Sequence, residues 1–131
     1  SEKINFMGVS AKYIDALSKQ KIKIIDKYKL LELETIGSTG SPLIHESFDY
    51  IYNNIKSDVC VASLSGGTDI VGCFVGGNPM LPVRRGEIQG QILGMDIHVF
   101  NDDGKSAVSP FIALGITASS PWRTLSIANS K

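Results

Sequence analysis

Five consecutive residues, Ser65-Gly66-Gly67-Thr68-Asp69, carry the side chains in this sequence best suited to chemistry. The Thr68 hydroxyl can donate to a phosphate oxygen, and the Asp69 carboxylate is an oxygen ligand for a hard cation such as Mg²⁺. Gly66 and Gly67 ahead of them present no side chain, so a ligand can lie close along the backbone. The same pentapeptide also reads as a tight turn with Asp69 in solvent, and so short a motif leaves both readings open. A second small-residue run, Gly37-Ser-Thr-Gly40-Ser41-Pro42-Leu43, is not a Walker-type phosphate loop, because Ser41-Pro42 follow Gly40 where Gly-Lys-[Ser/Thr] is needed. Pro42 stiffens a turn and removes a backbone donor, so this run by itself is a connecting loop.

The elements that must hold these residues are legible in outline. The apolar, β-branched run Val59 to Ala62 reads as a buried strand delivering Ser65–Asp69 at its carboxyl end, where open α/β sheets bind ligands. Phe48, Ile51, Tyr52 and Ile55 recur at helical spacing, which predicts an amphipathic helix over 45–55. Ser10 is an N-cap for a shorter helix whose apolar positions are Ala11, Ile14 and Leu17. Between the helices, Lys21, Lys23, Lys27 and Lys29 mark a solvated connection, and Leu30, Leu31 and Leu33 a short turn on the core. Glu34-Thr35-Ile36 enters the first glycine run as a strand, and Cys73-Phe74-Val75 reads as another. Residues 76–82 are turn-rich. Residues 94–100 alternate as a half-buried strand with Asp96 and His98 on one face, and 101–104 form a hairpin turn. The expected fold is α/β: a partial layered subdomain followed by a more β-like segment.

Composition narrows the function. The chain has 131 residues, 43% hydrophobic, with zero net charge and its basic residues scattered. That argues for one globular domain and against a nucleic-acid or anionic-membrane footprint. No apolar run reaches the length of a membrane span. Cys60 and Cys73, in apolar surroundings, are expected as buried free thiols, in keeping with a reducing cytosol. No further Cys or His stands at metal-ligand spacing.

Four stretches carry a resemblance: Gly8-Val-Ser-Ala-Lys-Tyr-Ile14, Ser38-Thr-Gly-Ser-Pro-Leu43, Ser65-Gly-Gly-Thr-Asp-Ile70 and Leu81-Pro-Val…Arg85-Gly-Glu-Ile-Gln89…Leu93-Gly-Met95. From about Gly8 to Lys105 the chain resembles the acetoacetyl-coenzyme A synthetases, within the acyl-adenylate-forming superfamily. The resemblance implies a cytosolic ligase of lipid and ketone-body metabolism. Such a ligase uses Mg-ATP to convert acetoacetate to acetoacetyl-adenylate with release of pyrophosphate, and the coenzyme A thiol then displaces AMP to give the thioester.

Carried over by position, Gly40, Ser41 and Pro42 would border the adenine. Ser63, Leu64, Ser65, Gly66, Gly67 and Thr68 would line the nucleotide and acyl pocket. The resemblance makes Thr68 and Asp69 catalytic, Thr68 bonding the α-phosphate and Asp69 holding Mg²⁺ where most relatives have Glu. Gly66 falls where acetyl-coenzyme A synthetases carry a pocket-closing Trp, so it is expected to leave room for the longer acetoacetate. The family's phosphate loop is expected upstream of residue 1, and its ribose-binding Asp, hinge and C-terminal Lys beyond the other end. Residues 1–106 therefore read as a piece of the adenylation domain, expected to be inactive alone. Residues 107–131 read as an unrelated or alternative tail. A non-catalytic truncated product or remnant, with at most weak nucleotide binding or a partner interaction, is the competing expectation.

Overall fold

The computed structural model describes residues 3–100, 103–105 and 125–127. Three short strands, β1 (Phe6–Ser10), β2 (Thr35–Thr39) and β3 (Cys60–Ser63), form a parallel sheet in the order β1-β2-β3. The connections are helical, α1 (Ala11–Lys19) and α2 (His45–Asn54). Two successive right-handed crossovers in one direction place both helices on one face of the sheet. There Ile14, Ile36, Phe48, Ile51 and Val61 form a core with almost no solvent exposure, joined by Met7, Val9 and Leu17.

Local signals account for most boundaries. The Ser10 side chain accepts a 3.1 Å hydrogen bond from the Tyr13 amide and starts α1 as its cap. Helix α2 buries Phe48 and Ile51, and the spacing carries on to Ile55 at its end. The basic connection that follows α1 is tied down at its apolar positions. The Tyr50 hydroxyl donates to the Ile22 carbonyl at 2.5 Å, and the Ile24 and Ile25 amides donate to the Asn54 carbonyl at 2.8 and 2.9 Å. All four of its lysines point to solvent, as expected; of the leucine cluster, Leu33 is buried while Leu31 is exposed.

A second sheet is antiparallel, in the order β4-β5-β6 with β4 (Ser65–Gly67), β5 (Gly72–Gly76) and β6 (Gly90–Gln91). The strands β7 (Ile97–Val99) and β8 (Leu125–Ile127) pair antiparallel, so the expected strand over 94–100 contracts to three residues. Strand β8 lies in the tail that showed no element in the sequence; three residues are too few for periodicity to register. The rest of the tail, and Asn101 and Asp102 of the expected hairpin turn, lie outside the described residues. Among those described, Asp103 and Gly104 do turn, with Gly104 at φ +73°.

Candidate functional site

Register brings the carboxyl ends of the parallel strands to one rim. Ser10 lies opposite Thr39, Ser38 opposite Ser63, and the Leu64 amide donates to the Ser38 carbonyl at 2.8 Å. The loop that starts at Gly40 and the hairpin that starts at Ser65 therefore leave neighbouring strands at the same edge. Gly37, Ser38 and Thr39, expected in the loop, are instead strand residues. Central β2 pairs on both sides, which draws Gly37 and Ser38 into the buried ladder. The Ser38 hydroxyl is fully buried and, among the described residues, has no hydrogen-bond partner.

The loop proper is Gly40-Ser41-Pro42, anchored by buried Leu43. Gly40 takes φ +83° with nothing within 4 Å of a would-be Cβ, so its backbone is open to an approaching group. Ser41 and Pro42 line a hollow of about 240 Å³ together with Lys12 and Asp15 of α1 and Ser47 of α2.

The central stretch differs in form from the expected open bend. Ser65, Gly66 and Gly67 are β4 itself, and Thr68 to Val71 make the turn into β5. Thr68 and Asp69 are exposed at the hairpin tip; Ser63 is buried and Leu64 half-buried behind them. Val71 closes the turn at φ +51°, a costly conformation for a β-branched residue. At Gly66 the acyl-pocket expectation meets a backbone. A Cβ there would stand 2.3 Å from the Gly72 carbonyl oxygen and 2.7 Å from Cys73 Cα. A side chain at 66 would therefore force β5 to shift, so the strand pairing by itself favours glycine there. Gly67, by contrast, faces open space.

Among the described residues no three His, Cys, Asp or Glu cluster to hold a metal. Asp69 offers one exposed carboxylate, which suits Mg²⁺ only when phosphate oxygens and water complete its shell. Asp96 and His98 share the expected face and pair at 2.9 Å. Cys60 and Cys73 are free thiols, half-buried rather than buried. Burial pushes the Cys60 thiol above its ordinary value.

One residue of consequence gave no functional signal. Gln89 is buried, and its carboxamide accepts from the Asn78 amide at 3.2 Å and donates to the Asn78 and Leu81 carbonyls at 3.0 and 2.7 Å. It staples the 77–81 loop across the sheet face opposite the helices. There a cavity of about 590 Å³ remains, with Phe6, Ala62 and Leu64 on one wall and Leu81 and Ile92 on the other. The loop comes close enough that a Cβ at Gly77 would stand 2.8 Å from Ala62 Cβ. A polar residue within Glu87-Ile88-Gln89 looks solvated in sequence; only the contact with residues eight and eleven positions away reveals it.

Over four-fifths of its length the chain is similar to acetoacetyl-coenzyme A synthetases. It is 52% identical over 105 residues to that of Rhizobium meliloti, covering 80% of this chain and 16% of that protein. Against the enzyme of Gallus gallus it is 46% identical over 102 residues, 78% of this chain and 15% of that one. The chain thus spans about one-sixth of the length of the curated relatives it matches. No family model matches it. Among solved structures, the acetoacetyl-CoA synthetase of Streptomyces lividans superposes with a TM-score of 0.70 at 33% identity, covering 79% of this chain and 17% of that one. The anthranilate CoA ligase AuaEII superposes with a TM-score of 0.64 at 18% identity, over 82% of this chain and 20% of that one, a likeness of fold alone. The α/β architecture is that of a stretch of an adenylate-forming enzyme.

Proposed function

We propose that this chain supplies part of an ATP-dependent acid–thiol ligase that makes acetoacetyl-AMP from acetoacetate and then acetoacetyl-coenzyme A. The observation that carries this reading is the 52% identity to a relative of that name over 105 residues. The geometry supports it: Gly40–Pro42 and Ser63–Asp69 leave adjacent strands at one rim, where ligands of parallel sheets sit.

In this reading the open backbone at Gly40 and Gly67 accommodates the nucleotide, with Ser41 and Pro42 beside the adenine. The segment Ser63, Leu64, Ser65, Gly66, Gly67 and Thr68 lines the pocket, and the Thr68 hydroxyl donates to the α-phosphate. Asp69 fits Mg²⁺ as the single protein carboxylate of a shell otherwise made by phosphate and water. An ion held by Asp69 would supply charge neutralisation at the phosphates when bound. These residues position and stabilise charge; they transfer no group of their own.

Two assays test this together. Acetoacetate-dependent exchange of pyrophosphate into ATP is expected to be absent for these 131 residues, because catalytic groups act as a unit. Mg-ATP is nevertheless expected to slow hydrogen exchange at the amides of Gly40–Ser41 and Thr68–Asp69, less so in Asp69→Ala. Exchange at the rate of a full-length relative would overturn the expected inactivity. No protection at either bend would overturn the nucleotide site and leave the non-catalytic reading.

A further inference from the structure

On the sheet face away from α1 and α2, we infer a binding site for a neutral, mainly apolar small molecule with one hydrogen-bonding group, such as a medium-chain alcohol. The cavity there, about 590 Å³, lies within the usual range of small-molecule sites. Its walls come from two sources, the parallel sheet and the segment 77–92.

The chemistry of the lining selects the ligand. Every lining side chain is uncharged, and most are apolar. A carboxylate or phosphate placed there would give up water and meet no cation among the lining residues. Acetoacetate and nucleotide are therefore excluded as occupants, and the cavity is distinct from the rim that the proposed ligase reading uses. The polar groups nearby are not equivalent. The Gln89 carboxamide is fully engaged in holding the loop. Thr35, half-buried on the floor, has a hydroxyl that bonds to none of the described residues. It lies across from Cys60 in the β2–β3 register, so a hydroxyl and a thiol stand side by side in an apolar box. A ligand with an alkyl body and one hydroxyl or carbonyl matches that pair.

Cys60 lets occupancy be read directly. Its proton is held more tightly because of burial, so alkylation is slow and sensitive to what fills the space. No Lys or Arg separates Cys60 from Cys73 for tryptic mapping, so the experiment uses the whole chain carrying Cys73→Ser. The rate of Cys60 alkylation by neutral iodoacetamide is measured with added 1-hexanol or hexanoate, with far-ultraviolet circular dichroism confirming an intact fold. Hexanol is expected to slow alkylation saturably, and hexanoate to need about tenfold more for the same protection, because its charge resists burial. Thr35→Val, which keeps the shape and removes the hydroxyl, is expected to raise the half-protecting hexanol concentration about fivefold, the loss of one hydrogen bond. Equal protection by hexanoate, or no saturable protection by hexanol, overturns the site. Undiminished protection in Thr35→Val overturns the role of the hydroxyl.

Discussion

Two adjacent glycines make opposite predictions. Gly66→Ala places a Cβ 2.3 Å from the Gly72 carbonyl oxygen, where ordinary van der Waals contact begins at 3.4 Å. Strand β5 must retreat by the difference, 3.4 − 2.3 = 1.1 Å, and the obstacle is backbone, which cannot swing aside as a side chain can. Overpacking of this kind costs about 1–3 kcal/mol. For a domain of this size that lowers Tm by roughly 4 °C per kcal/mol, or about 8 °C for the middle of the range. Gly67→Ala meets nothing within 4 Å and has no positive φ, so its Tm should stay within about 2 °C of the parent, as for an ordinary surface change. Differential scanning calorimetry on the two variants measures the contrast. Hydrogen exchange then localises it, with the amides of β5 losing protection in Gly66→Ala while those of α2 keep theirs. If Gly66→Ala melts with the parent, the hairpin does not impose glycine at 66. The acyl-pocket explanation of that residue would then return.

Other perturbations test separate parts of the molecule. Gln89→Leu removes the partner of the Asn78 amide and of the Leu81 carbonyl, while the Asn78 carbonyl keeps the Leu81 amide; a loss of about 1–3 kcal/mol is expected, with faster exchange confined to 77–82. Unchanged exchange there would show that the staple is not what holds the loop. Val71→Gly relieves a left-handed β-branched residue and should raise stability by about 1 kcal/mol in urea titration, whereas a lower midpoint would contradict the turn geometry. Burial raises Cys60 above its ordinary 9.0 and Tyr50 and Tyr52 above 10.0. The folded state then holds these protons more tightly than the unfolded chain. Stability should be level below pH 9.0 and fall as the pH rises beyond it, with Cys60→Ser delaying the onset.

The sequence carries the parallel layer clearly. Phe48, Ile51 and Ile55 mark α2, Ser10 caps α1, and the run ending at Ala62 marks β3, because each signal is local and periodic. The rim was legible too, since two glycine-bearing runs follow adjacent strands. What hid was non-local. Gly37 and Ser38 look like loop until two neighbours pair with them, and Ser65–Gly67 look like a bend until β5 folds back. Gly66 shows how one residue admits two explanations in sequence, an empty pocket or a crowded backbone, and only coordinates choose between them. Gln89 is invisible for the same reason, its partners being brought near by the tertiary fold.

Leu64 is the lone residue between β3 and β4, and it is held on three sides. Its amide is bonded to Ser38; its side chain sits 3.3 Å from a Cβ position at Gly37 and 2.7 Å from one at Gly76. The two sheets are therefore joined by a clamped elbow instead of a tether. A push on the hairpin arrives at the central strand as torque, with little slack to absorb it. Enlarging Gly37 or Gly76 should tilt one sheet against the other before it melts either.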